Sequence, residues 1–218
     1  KTLAFATEFS AIFGGNVTSD PSLPRSRMLP RKEHHTIDVV IREAIEAKST
    51  DLIIIGERLK EPYSLTLVHL PSGPTASFRL SSIVTSKQLG KNCGSATNHP
   101  PELNMANFDT MLGLTVGRFL TNLFPFKPQF EGRQIVTFHN QRDFIFFRRH
   151  RYIFQGVTGG EKTKSTTSSA PSVRMQELGP RFTLKLMAIQ KGTFDLTNGE
   201  YIWVRANSKM NTRKQFYC

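Results

Sequence analysis

The sequence predicts an α/β fold built from two related α/β halves, and three observations predict it. Gly73-Pro74-Thr75-Ala76-Ser77-Phe78-Arg79-Leu80-Ser81-Ser82-Ile83 aligns without a gap with Gly179-Pro180-Arg181-Phe182-Thr183-Leu184-Lys185-Leu186-Met187-Ala188-Ile189. Each copy reads as a Gly-Pro turn leading into a strand, apolar on one face and small, polar or basic on the other. Upstream of the copies stand Asp51–Ile55 and Asp143–Phe147. Both runs are apolar on both faces, the pattern of a central strand in a sheet covered on both sides. Further upstream, Phe9–Gly14 parallels Leu120–Pro125, each the last turn of a helix closed by a breaker. These parallels predict two half-units joined face to face, with the seam between them as a natural binding surface.

The elements follow in chain order. Residues 2–13 read as a helix with Leu3, Phe5, Phe9, Ile12 and Phe13 for burial, and Gly14–Lys32 as a Gly-, Pro-, Ser- and Arg-rich loop. Ile37, Val40, Ile41, Ala44 and Ile45 recur at helical spacing, with Arg42, Glu43 and Glu46 outward. Thr36 is placed to cap that helix, and Asp38 sits in its first turn, where the dipole favours an acid. Strands are expected over 51–56, 64–70 and 75–80, and a polar, Pro-bearing connection over 85–103. A second helix over about 107–124 carries Phe108, Met111, Leu112, Val116, Phe119, Leu120, Leu123 and Phe124, and Pro125 and Pro128 end it. Strands near 133–138, 143–154, 181–188 and 200–204 complete the second half. The organisation is therefore a first half over 1–100, a second over 101–204 with a flexible insertion at 156–172, and a basic tail over 205–218.

Charge points to the partner. The 218 residues carry a formal net charge of +12, with a pI near 10.1. This balance favours a polyanion, nucleic acid before an anionic membrane surface. Cys93 and Cys218 are too few and too far apart for a zinc site or a disulfide framework, which points to a reducing compartment. No apolar run approaches the roughly 20 residues that span a bilayer. The chain opens at Lys1 inside an expected helix, so further sequence is expected upstream.

Between Arg118 and Phe154, Arg118, Lys127, Arg133, Arg142, Arg148, Arg149 and Arg151 face only two acids, Glu131 and Asp143. Aromatic residues interleave with them, a combination suited to RNA, where cations hold phosphates and unpaired bases stack. Phe144, Phe146 and Phe147 read as core, as do Phe119, Phe124 and Phe138; Tyr152, Phe126 and Phe130 are the stacking candidates. After Phe147 the run Arg148-Arg149-His150-Arg151 is expected to leave the core and deliver its charges at one end of the sheet. Strand alternation points Phe182, Leu184 and Leu186 inward and Arg181, Thr183 and Lys185 outward, with Thr75, Ser77 and Arg79 on the equivalent outer face. Such a face suits phosphate contact without base reading.

Catalytic patterns are wanting. Gly156–Thr163 approaches a phosphate-binding loop, but Glu161 stands where its second glycine belongs and would repel a phosphate. His34, His35, His69, His99, His139 and His150 share no metal-ligand spacing. No nucleophile elbow or paired acid stands out. No cofactor and no small-molecule substrate is expected, and the chain is read as non-enzymatic.

The stretch Gly132–Arg148, the run His150–Phe154 and the segment Gln176–Leu186, continued by Gln190–Asp195 and Gly199–Trp203, resemble the Brix-domain family of ribosome assembly factors. In the first half Leu70–Ala76 fits well, 1–35 fits weakly, and the family's opening strand is missing; the insertion at 156–172 departs from the compact family pattern. The resemblance implies one domain of two pseudo-symmetric halves, similar to anticodon-binding domains. It implies a nucleolar, non-catalytic role in assembly of the large (60S) ribosomal subunit, with precursor rRNA and a dedicated protein partner. It supports Arg181 and Lys185, and with them Arg149 and Arg151, as RNA contacts. With the residues read above, the expected RNA-binding set is Arg79, Arg142, Arg148, Arg149, Arg151, Tyr152, Arg181, Thr183, Lys185, Lys191, Lys209, Arg213 and Lys214. Gly73, Pro74, Gly179 and Pro180 are assigned to turn geometry. The alternative is a protein–protein scaffold in the pre-ribosome with incidental RNA contact.

Overall fold

Helical and strand periodicities account for most of what the computed structural model contains, over residues 1–13, 28, 36–125, 128–155, 172–195 and 199–205. The helices are α1 (Thr2–Ser10, extended by a 3-10 turn over Ala11–Phe13), α2 (Ile37–Glu46), the short α3 (Ser86–Leu89) and α4 (Met111–Asn122). The strands are β1 (Asp51–Arg58), β2 (Glu61–His69), β3 (Thr75–Val84), β4 (Glu102–Ala106), β5 (Gln134–Gln141), β6 (Phe144–Gln155), β7 (Ser172–Glu177), β8 (Arg181–Gln190) and β9 (Tyr201–Val204). They form one sheet in the order β1-β2-β3-β8-β6-β5-β4, with β7 beside the far part of β6 and β9 beside the end of β8. Among the described strands only β4 and β5 run parallel.

The two Gly-Pro strands are β3 and β8, and they pair with each other. The expected face-to-face contact is thus corrected: the halves meet edge to edge through a shared ladder. Superposing Gly73 on Gly179 along the sequence sets Arg79 on Lys185, and these two are direct cross-strand partners. A residue paired with its own counterpart marks a local two-fold axis. The helix parallel has the same property, because Phe13 and Phe124 are counterparts and their rings touch at 5.1 Å. Both glycines sit at positive φ, +91° and +64°, where a side chain is strained, and a Cβ on Gly73 would stand 2.3 Å from the Gly192 backbone.

The strand parallel is corrected. Through the axis β3 maps to β8, β2 to β6 and β1 to β5, so Asp51–Ile55 answers to a segment of β5 rather than to Asp143–Phe147. Asp51–Ile55 is also an edge strand, not a central one. Its apolar character has another cause: Ile53 and Ile55 pack on the main core, while Leu52 and Ile54 pack under α2. Tight turns over Leu59-Lys60 and Arg142-Asp143 close the two hairpins, with positive φ at all four residues as a type I′ turn requires.

The main core lies on one face of the sheet. Phe5 and Phe9, one helical turn apart, lay α1 across Phe182 and Phe147, with ring centroids 5.3 Å (Phe5–Phe182) and 6.2 Å (Phe9–Phe147) apart. Val116, Phe119 and Leu120 seat α4 on the same face, and the Thr110 side chain caps α4 by accepting from the Gly113 N–H at 2.9 Å. On the opposite face α2 covers the first half through Ile41 and Ala44 against Val68 and Leu70. Four expectations need amendment. Leu3 and Met111 are exposed, because they fall off the buried stripes of their helices. Thr36 occupies the N-cap position of α2 without a side-chain capping bond. The stretch expected as connection contains α3 and the start of β4, and β7 follows the segment read as an insertion.

Candidate nucleic-acid interface

Alternation along the strands divides the sheet into its covered face and a second face that, among the described residues, α2 shields in the first half and no helix shields in the second. On β6, Ile145 and Phe147 point into the core, so Phe144, Phe146, Arg148, His150 and Tyr152 point the other way. Cross-strand register then sets a row: Ser64, Arg79, Lys185, Phe144 and Gln141 lie side by side on β2, β3, β8, β6 and β5. The next row holds Ser81, Thr183, Phe146 and His139. Phe147 pairs with Phe182, so Arg148 and Arg181 follow as neighbours beyond it.

Cations and rings are interleaved on this face. Lys185 Nζ lies 4.8 Å from the centre of the Phe144 ring, and the Arg148 guanidinium 6.0 Å from that of Phe146. Arg79 lies 5.3 Å from the Tyr63 ring. Lys185 titrates below the ordinary lysine value, chiefly through burial and then through the positive charges of Arg205 and Arg79, with Asp143 pulling the other way. Arg148 is lowered by burial, raised by Glu177 and lowered by Arg181. Arg181 is held by Glu177 at 3.4 Å. Like charges crowded on a half-exposed surface set up a positive potential that a bound anion would relieve.

The structure gathers four of the expected residues, Arg79, Arg148, Arg181 and Lys185, onto this open face. Arg142 stands exposed in the β5–β6 turn, at the end of the Lys185–Phe144 row. Tyr152 shares the face, and its hydroxyl donates to the Glu102 carboxylate, a bond that raises its pKa. Arg149 is a correction. It is 5% exposed, donates from Nη2 to Gln134 Oε1 at 2.6 Å, and is pulled down to about 10 by burial. Arg151 lies on that same covered face. The basic run therefore does not leave the sheet as a block: β6 continues to Gln155, and alternation sends Arg148 one way and Arg149 and Arg151 the other. Thr183, at 5% exposure, is buried between its neighbours, and Thr75 is buried with its hydroxyl donating to the Gly192 carbonyl at 2.9 Å. Lys191 sits at the far end of β8, paired with Glu200 at 3.2 Å. Lys209, Arg213, Lys214, Phe126 and the loop-like Gly156–Thr163 lie outside the described residues.

Phe144 and Phe146 are the residues the sequence reading missed. Read as core, they belong to neither hydrophobic cluster, and Phe144 is 38% exposed. The available signal was the polar alternation of Arg181, Thr183 and Lys185, whose strand pairs with theirs. Among the described residues no three His, Cys, Asp or Glu side chains gather as a metal site, and His69 faces Asp51 at 2.8 Å.

A single mixed sheet with a local dyad, α1 and α4 on one face, and α2 and a basic strip on the other, defines a two-half α/β domain. The Brix domain model matches residues 22–188, and the chain belongs to the Brix-domain family. Over 179 residues it is 49% identical to ribosome production factor 1 of Mus musculus, covering 82% of this chain and 48% of that protein. Over 219 residues it is 39% identical to the probable ribosome production factor 1 of Drosophila melanogaster, covering 100% of this chain and 50% of the relative. A Brix domain-containing protein of Schizosaccharomyces pombe is 43% identical over 186 residues, 84% of this chain and 58% of that one. The chain thus spans about half the length of the curated relatives it matches. Among solved structures, a probable ribosomal biogenesis protein from Aeropyrum pernix K1 aligns over 84% of this chain and 87% of its own, at 15% identity and a TM-score of 0.49.

Proposed function

We propose that this chain is the core of a non-catalytic ribosome assembly factor that binds precursor rRNA of the large (60S) subunit in the nucleolus, alongside a dedicated protein partner. The names of its relatives support the ribosomal role. The observation that carries RNA binding is the outer face at the seam and over the second half, where Arg79, Lys185, Arg148 and Arg181 converge on one side of the sheet. Phosphate contact needs cations fixed in register, and a β-ladder supplies that without any base-specific donor pattern. Crosslinking of the tagged protein to RNA in cells, with sequencing of the attached fragments, tests the reading. A focused cluster on large-subunit precursor rRNA is expected; scattered crosslinks would overturn it.

One observation favours the scaffold reading. The ribbon formed by the end of β6 and β7 exposes Ile153, Phe154, Val173 and Met175 on its two faces. Apolar surface of this kind marks a protein contact. If the purified protein is soluble only with a partner and binds RNA weakly by itself, the scaffold role leads.

A further inference from the structure

We propose that the open face binds a single-stranded RNA segment, with unpaired bases stacked on Phe144 and Phe146 and with Lys185 and Arg148 on the adjoining phosphates. The inference rests on the RNA-binding reading above and names the form of RNA that this face takes.

The local dyad supplies an internal control. The counterparts of Phe144 and Phe146 in the first half are Ser64 and Thr66, small hydroxyl side chains at the same places in the ladder. The fold therefore does not require rings at these positions. Nor does the core, since neither ring belongs to a hydrophobic cluster. A large aromatic side chain left 38% exposed at Phe144 sits against the tendency of apolar surface to be buried, and a ligand π-face would remedy that. The two rings alternate along one strand, which sets them about 7 Å apart.

The cations now over the rings do not block them. An exposed cation–π contact shifts an equilibrium by roughly two- to fivefold. A stacked base shifts it by roughly ten- to a hundredfold. A base therefore displaces Lys185 from the Phe144 face, and the ammonium gains a phosphate in place of the ring. Burial at the ring and the positive charges of Arg205 and Arg79 disfavour the Lys185 ammonium where it lies more than Asp143 supports it, which favours that move. Duplex RNA gains nothing from the rings, because its bases are paired and stacked on one another, and only its phosphates reach the cations. Three acids border the strip, Glu177 holding Arg181, Glu102 holding Tyr152 and Asp143 holding Arg205, and the cations between them line the Arg79–Lys185–Phe144–Phe146–Arg148 stretch.

The test compares the 218-residue chain with Phe144→Leu/Phe146→Leu and with Arg79→Gln/Lys185→Gln, all checked for unchanged thermal unfolding. Each binds an oligouridylate and the same strand annealed to oligoadenylate, at one salt concentration and neutral pH. Loss of the rings is expected to weaken the single strand by about tenfold per ring and leave the duplex unchanged. Loss of the charges is expected to weaken both forms. Single-strand binding that survives in the ring variant but falls in the charge variant overturns the stacking and leaves the RNA reading standing. If the unaltered chain binds neither form, both fall and the face belongs to a protein.

Discussion

The two halves of the sheet present the same ladder positions with opposite chemistry. In the first half Leu52, Ile54 and Val68 occupy the outer face, and α2 lies over them. Their counterparts in the second half are Thr137, His139 and Arg148, and among the described residues neither hydrophobic cluster reaches them. One half uses the surface to dock its own helix and the other leaves it polar and basic. The fold is common to both, so the proposed binding role rests on side chains placed on it rather than on the architecture. The dyad passes between Arg79 and Lys185, which puts the cationic row at the seam and open to both halves.

The sharpest break between the faces is energetic. Phe147 is fully buried against Phe182, their rings stacked at 4.4 Å, so Phe147→Ala is expected to cost about 3–5 kcal/mol in urea unfolding. Phe144→Ala, three residues back on the other face, is expected to cost under about 1 kcal/mol. Comparable losses would mean that both faces are core. Next comes the arginine pair. Arg149→Ala strands the buried Gln134 side-chain oxygen and is expected to destabilise by about 1–3 kcal/mol, while Arg149→Met strands the same oxygen but keeps the packing of the apolar stem and is expected to cost less. Both are expected to leave RNA affinity unchanged, and a loss of affinity in folded Arg149→Met would return Arg149 to the interface.

Writing the first half's residue into the second gives a smaller effect. With four cations on phosphates, log affinity for a single strand should fall with log salt at a slope of about −3, and Arg148→Val should bring it near −2. An unchanged slope would remove Arg148 from the contact. The finest distinction is in pH. Phosphate binding needs the Lys185 ammonium, whose pKa is depressed by burial and by Arg205 and Arg79. As pH rises, affinity for an oligocytidylate, whose base does not titrate there, should begin to fall below the ordinary lysine value, and Lys185→Arg should abolish that early loss. Identical profiles would show that Lys185 stays off the phosphate.

Much of this was readable in the residues. The Gly-Pro motifs announce β3 and β8 because turn chemistry and alternation are local signals, and the stripes of α1, α2 and α4 are visible for the same reason. Which strand pairs with which is non-local. That is why Asp51–Ile55 was matched to Asp143–Phe147, two runs alike in apolarity, when the ladder pairs β1 with β5 across the dyad. β4 escaped notice because five residues, Glu102–Ala106, are too few to show a period. The candidate site was half legible: Arg79, Arg181 and Lys185 lie on the predicted face. Phe144 and Phe146 were hidden in an unbroken apolar run, where only a partner strand decides which ring is buried. Arg149 was misplaced because a run of cations reads as surface until alternation divides it.

The most direct measurement is to irradiate the chain bound to RNA and identify by mass spectrometry which peptides carry nucleotide adducts. The account predicts adducts on the segments Phe144–Arg148 and Arg181–Lys185. Adducts gathered instead on Leu52–Ile54 and the helix Ile37–Glu46 that covers it, with the second half unmarked, would contradict it.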